Sequence, residues 1–405
     1  MTAGNPIELF EADSLQDPYP LYARMRAGGA VRRIGDSDFY AVSGWDAVVE
    51  AIARVDDFSS NLTATMVYQP DGTVAPFTMA PLGDPSHALA VADDPAHAAH
   101  RKLLVPHLSA KKVQALETFV SQTAERLWTD GVHDSRIEWM DSVANRLPML
   151  VVARLIGVPE ADADKLVEWG YAGTQLLEGL VSADQLEAAG ASVMELLGYV
   201  TDHFARARAN PRDDLMGGLA IACAAGELDE VVALSIMATL FAAGGESTGS
   251  LLGSATWILA SRADVQRRLR ESPDLLDPFI DEVLRYEPPF RGHYRHVATD
   301  TSLCGTDLPA GSHLILLWGA ANRDPAHFDE PDKFRLDRAS AKGHIAFGKG
   351  AHFCVGAALA RLETRIVLRQ LLDRTAEITV ARTGRWLPSL LVRRLEHLEL
   401  AVVAR

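Results

Sequence analysis

The ten residues Phe347-Gly348-Lys349-Gly350-Ala351-His352-Phe353-Cys354-Val355-Gly356 concentrate the clearest chemistry of this chain in one loop. Glycines at 348, 350 and 356 admit backbone conformations closed to other residues and let the main chain come close to a flat ligand. Cys354 stands where the loop should enter a helix, and the free N–H groups of a helix start favour a thiolate, the form that binds metal. A lone cysteine beside a glycine turn is more often a buried structural residue, but the ten-residue pattern as a whole favours a ligand to a metal. The spacing fits neither a dinucleotide fingerprint nor a phosphate-binding loop. Cys223 and Cys304 form no C-x-x-C pair, so zinc knuckles, thioredoxin-type sites and covalent c-type haem attachment are all disfavoured.

Three further constellations deserve a chemical reading beside a plain one. Glu282 and Arg285 are three apart on an expected helix and can pair on one face; with Arg335 as a third member they would form an internal clamp, and without it an ordinary surface bridge of little worth. Ala243-Gly244-Gly245-Glu246-Ser247-Thr248 interrupts an otherwise uncharged helix. Two glycines inside a helix cost about 1 kcal/mol each, a cost that makes sense if something flat lies there or the helix opens. Glu246 followed by two hydroxyls offers a short proton path in a dry place; the plain alternative is a kink with Ser247 and Thr248 bonding back to earlier carbonyls. Finally, His97 and Arg101, four apart, together with Arg295 and His352, could bind carboxylates, or could be four unrelated surface residues.

The elements that must carry these residues read as mostly helical. Short helices are expected from Asp17 to Arg26 and from Trp45 to Arg54, with a hairpin over Val31 to Ser43 between them. Helical periodicity runs in blocks from Pro95 to about Arg206, then over Leu228 to Ser261, Asp277 to Tyr286 and Val355 to Thr375. Strand signals occur within Val297 to Trp318 and in the tail from Trp386 to Val403. Asn61 to Asp94 shows no sustained period and reads as a long loop, the kind that is usually functional or mobile. No linker divides the chain, which predicts one domain over residues 1–405.

Composition narrows the function classes. The net charge of -15 argues against sequence-independent nucleic-acid binding, which needs phosphates neutralised by Lys and Arg. No basic-then-apolar leader is evident at Met1 to Phe10. Val231 to Ala260 is nearly uncharged, but Glu246 at its middle makes it a buried core helix rather than a membrane span. Three cysteines in 405 residues fit a reducing, cytoplasmic setting.

Taken together, these stretches resemble the cytochrome P450 family, the haem-thiolate monooxygenases, of the soluble bacterial kind. The likeness runs from Asp17-Pro18-Tyr19-Pro20-Leu21-Tyr22 to Leu390-Leu391-Val392-Arg393. It implies a single triangular fold, mainly α with small β-sheets, around a non-covalent haem b. By that resemblance Cys354 is the axial iron ligand. Phe347, Gly348, Gly350 and Gly356 form the loop beneath the haem, and His97, Arg101, Arg295 and His352 contact its propionates. Ala243 and Gly244 lie over it on the oxygen side, with Glu246, Ser247 and Thr248 handling protons, and Glu282, Arg285 and Arg335 form the structural triad. The family usually has threonine directly after the acid, where this chain has Ser247. The resemblance also implies a separate ferredoxin with its reductase as electron donor, docking on Lys102, Lys349, Arg361 and Arg365. The substrate would be an apolar small molecule (a lipid, steroid, terpenoid or polyketide). It would meet Leu240, Phe241, Gly245, Phe290 to Tyr294 and Leu390-Leu391, with His293 and Tyr294 as polar handles. A peroxide-driven peroxygenase, a haem-dependent dehydratase or isomerase, and a non-enzymatic haem-binding protein are the alternatives on the same scaffold.

Overall fold

The computed structural model describes residues 4–78 and 87–405. Its axis is the helix Glu230–Ala260, 31 residues long, started by Asp229, whose carboxylate accepts the Val231 N–H at 2.8 Å. It is long and apolar enough to cross a membrane by length and composition alone. Here it is embedded instead: the helices Arg146–Ile156, Ala163–Gln175 and Ala183–Ala209 pack on one side, and Leu276–Tyr286 and Ala357–Arg374 on the other.

The glycine pair in this central helix answers to packing. A methyl group at Gly244 would stand 2.8 Å from Val152 Cγ2, and one at Gly245 would overlap Met149 Cε, both on Arg146–Ile156. The helix runs unbroken through residues 243–248. The expectation of an opened helix is therefore corrected: the missing side chains let two helices cross closely, which dense interiors reward.

Small sheets flank the helices. The largest orders its strands Val31–Arg33, Phe39–Val42, His313–Leu317, Gly292–Val297 and Phe58–Ser59. His313–Leu317 pairs parallel with Phe39–Val42 and antiparallel with Gly292–Val297, Ile315 opposite Tyr294. The hairpin expected over Val31 to Ser43 forms its edge. A second sheet joins Thr375–Thr383, Leu398–Ala404 and Arg136–Glu138.

Two readings of the sequence need correction. Asn61 to Asp94 is not a structureless loop: Ala64–Tyr68 and Val74–Thr78 pair as a hairpin around Asp71-Gly72, with Gly72 at φ +84°. Pro76 is tolerated because this two-stranded sheet leaves an edge free. The part of that expected loop at 79–86 lies outside the described residues. The last helix ends at Arg374 and runs directly into the strand Thr375–Thr383, which the sequence reading did not anticipate.

Candidate active site

The cysteine loop is built from its glycines outward. Gly348 and Gly350 adopt φ +68° and +67°, conformations that a side chain would strain. The Cys354 N–H closes the loop on Phe347 O at 2.9 Å, and the helix Ala357–Arg374 starts after Gly356. The thiol faces an internal cavity of about 250 Å³. Burial pushes it above its ordinary value, while the Gly356 and Ala357 N–H groups and the Arg101 and Arg361 guanidiniums pull toward the thiolate.

Across the cavity, the central helix contributes Thr239, Leu240, Ala243, Gly244, Ser247 and Thr248. Phe347, Gly348, His352 and Gly356 line the side of Cys354, His97, Arg101 and Arg295 its charged rim, and His293 is also part of the lining. The lining is mostly apolar, as expected for a small-molecule site.

The residues present suit a flat dianion held at its edge. Arg295 lines the cavity, yet among the described residues its guanidinium donates to its neighbour Tyr294 O, at 2.8 Å, and burial lowers it to about 10. Among the described residues no carboxylate lies within ion-pair distance of it. Arg101 donates to Phe353 O at 3.0 Å. The rings of His97 and His352 stack 3.9 Å apart, and His352 reaches Ser60 Oγ at 3.0 Å. Burial pushes His352 down to about 4 and lowers His97 as well. Haem propionates would supply the missing acceptors for this set.

The clamp beneath the site differs from its sequence reading in one member. Glu282 and Arg285 are fully buried and bidentate, at 2.7 and 2.8 Å. Arg285 also donates to the carbonyls of Asn322, Pro331 and Lys333. The second guanidinium belongs to Arg338, 3.1 Å from Glu282, not to Arg335. Arg335 gives Glu282 only its backbone N–H, at 2.9 Å, and turns its side chain outward to Asp329, Glu330 and Asp337. The chain turns between them, Arg338 N–H to Arg335 O at 3.3 Å, and that turn decides which arginine points inward.

The oxygen-side acid is also differently placed. Glu246 does not line the cavity; it is buried behind the helix, paired with Arg394 at 3.0 Å and accepting the Thr174 hydroxyl. Burial raises its carboxyl, against the pull of Arg394 and Thr174. The Ser247 hydroxyl bonds back to Ala243 O, the plain alternative for that residue. Of the expected substrate contacts, Leu240, Phe290 and His293 line the cavity. Phe241, Tyr294, Leu390 and Leu391 are buried in packing instead, and Gly245 faces Met149. Trp318 N–H donates to His293 Nδ1, which fixes the ring as a neutral Nε2–H donor.

Sequence reasoning missed Arg338, Arg394 and Glu363. The last lines the cavity, is 2% exposed, leaves Oε2 without a partner and has its carboxyl pushed well up by burial. None of the three had a local signal.

Comparison with known proteins agrees with this geometry. The family model described as Cytochrome P450 matches residues 225–376. Cytochrome P450 144 of Mycobacterium tuberculosis is 67% identical over 393 residues, covering 97% of this chain and 91% of that protein. Cytochrome P450 107B1 of Saccharopolyspora erythraea is 33% identical over 410 residues, covering 98% of each. Among solved structures, CYP109E1 from Bacillus megaterium in complex with testosterone superposes with a TM-score of 0.85 at 28% identity, over 96% of this chain and 98% of that one. With its cysteine loop, buried Glu282 clamp and cavity-spanning helix, this chain belongs to the cytochrome P450 family and is a P450 monooxygenase.

Proposed function

We propose that this enzyme inserts one oxygen atom from O2 into an apolar small molecule, with electrons supplied by a separate ferredoxin and its reductase in the cytoplasm. The observation that carries the reading is the mostly apolar cavity between Cys354 and the central helix. A haem b held there by Cys354 would supply the activation of dioxygen, which a thiolate ligand favours. The protein's residues do the rest. Arg101, Arg295, His97 and His352 hold the edge of the group. Leu240, Phe290 and their apolar neighbours orient the substrate and exclude water, and His293 Nε2–H offers one donor to a substrate oxygen. Thr248 and Ser247 border the oxygen side, with Glu246, turned away from the cavity on the same helix, as the source of protons. The testosterone held by the solved relative supports a polycyclic or steroid-like substrate. Turnover of such a compound with NADH, reductase and ferredoxin, and none with peroxide alone, is the expected result; turnover with peroxide alone would make it a peroxygenase.

Electron-donor docking sharpens to fewer residues. Arg361 and Arg365 are paired with Asp281 and Asp277, at 2.9 and 3.6 Å. Lys102 and Lys349 are exposed and carry no ion pair among the described residues. Reversing Lys349 to Glu should therefore slow reduction by an acidic ferredoxin several-fold at low salt. The difference should vanish as ionic strength rises, because exposed pairs are screened. Stopped-flow reduction across a salt series measures it.

Ser247 supplies a further test. With its hydroxyl bonded to Ala243 O, Ser247→Ala should lower product per electron pair only modestly. Thr248→Ala, at a buried cavity-lining position, should lower it more and release peroxide, with substrate binding unchanged. Equal effects would return Ser247 to an equal share of proton delivery.

A further inference from the structure

On the cysteine side of the cavity lies an ion pair unlike the surface bridges around it. Asp281 precedes Glu282 on the helix Leu276–Tyr286, where consecutive side chains leave in different directions. Glu282 turns to its clamp. Asp281, 4% exposed, turns to the helix Ala357–Arg374 and takes Arg361 from it. Arg361 Nη2 and Nε both donate to Asp281 Oδ1, at 2.9 and 3.1 Å. His344 Nε2 approaches the same oxygen at 3.6 Å. The Ala346 N–H donates to His344 Nδ1 at 3.1 Å, which leaves the ring proton on Nε2, the atom facing Asp281.

Both of these groups meet Phe347, the first residue of the cysteine loop. The Arg361 guanidinium lies 4.6 Å from the centre of the Phe347 ring, and the His344 ring centre is 5.7 Å from it. A guanidinium is attracted to the face of an aromatic ring, and two hydrogen bonds to one buried oxygen fix where this one sits. Phe347 in turn is tied to the ligand: it lines the cavity, and its carbonyl accepts the Cys354 N–H at 2.9 Å. A continuous chain of contacts thus runs from Asp281 through Arg361 and Phe347 to the backbone of Cys354. The loop between Phe347 and Cys354 has little stiffness of its own, since Gly348 and Gly350 hold positive φ within it, so its anchors decide where the sulfur stands. Arg365, one turn further along, is the contrast. Its pair with Asp277 is 3.6 Å long between side chains 45% and 55% exposed, and among the described residues it meets no aromatic ring.

We propose that Asp281 and Arg361 are positioning residues for the axial ligand: the pair holds a fixed guanidinium against Phe347, and Phe347 holds the backbone of Cys354 where its sulfur meets the iron. The inference rests on the reading of Cys354 as that ligand.

The test uses the haem-loaded protein and needs no turnover. Ferrous, carbon-monoxide-bound protein kept at one temperature loses its red-shifted thiolate band as the thiolate leaves the iron, and the decay is followed in the Soret region. Arg361→Gln should speed that decay several-fold, and Asp281→Asn, which unties Arg361, should speed it as much. The two substitutions together should act no faster than either alone, because both work through one contact. In a Phe347→Leu background Arg361→Gln should change nothing further, and Arg365→Gln should decay at the wild-type rate. Asp281 is buried and its loss can cost the fold, so the partly exposed Arg361 carries the test if Asp281→Asn yields no haem-loaded protein. A wild-type decay rate in Arg361→Gln overturns the proposal. So does a full further acceleration by Arg361→Gln on top of Phe347→Leu, or an equal acceleration by Arg365→Gln. These failures leave Cys354 as the ligand, whereas wild-type protein without the thiolate band strikes that reading and the positioning pair with it.

Discussion

A Cys354→Ala protein should lose the strongly red-shifted Soret band that ferrous, carbon-monoxide-bound haem shows when a thiolate is its ligand, and turnover should fall to background. Neither remaining thiol can substitute: Cys304 is exposed at a hairpin turn and Cys223 lies on the helix Leu215–Ala224, and neither lines the cavity. Cys354→His should retain some haem, because imidazole also ligates iron, yet show no thiolate band. Difference spectra with dithionite and carbon monoxide decide it. Retention of the band in Cys354→Ala would remove the foundation of the functional reading.

The second large effect belongs to Glu282. Its carboxylate is fully buried and holds Arg285, Arg338 and the Arg335 backbone together. Removing one partner of a buried ion pair typically costs about 3–5 kcal/mol, because the charges left behind are uncompensated. Glu282→Ala should therefore yield little folded, haem-loaded protein, and Arg338→Ala should be nearly as damaging. Arg335→Ala should cost well under about 1 kcal/mol, since its side chain makes exposed surface pairs. Denaturant unfolding and haem content of the three variants would separate Arg338 from Arg335. Equal losses at both positions would restore Arg335 to the clamp.

The cysteine loop was legible because its chemistry and its backbone requirements are contiguous: three glycines, a histidine and the cysteine lie within ten residues. Most helices were legible for a similar reason, since their apolar period is local. What escaped depends on contacts distant in sequence or on a single turn. Arg335 and Arg338 are chemically identical three residues apart, and only the turn between them selects the inward one. The pairing of Glu246 with Arg394 spans 148 positions, so no window could contain it. The glycine pair was correctly singled out, and Gly244 lines the cavity as expected, but the helix packed against the pair was not foreseen. The sequence shows that side chains are absent, not that Val152 and Met149 occupy the space. The hairpin around Asp71-Gly72 was hidden by weak alternation and by Pro76, which an edge strand accommodates.

The strand Gly292–Val297 carries a final consequence. Side chains two apart on a strand share a face, and here His293 and Arg295 both turn to the cavity, one toward the substrate space and one toward the charged rim. On the proposed reading, selectivity and cofactor retention are threaded on one short ribbon, clamped between His313–Leu317 and Phe58–Ser59. Laboratory evolution toward new compounds will find freer ground on the helical walls, at Leu155 and Leu240. At position 293, variants with broadened substrate range will tend to surrender their haem.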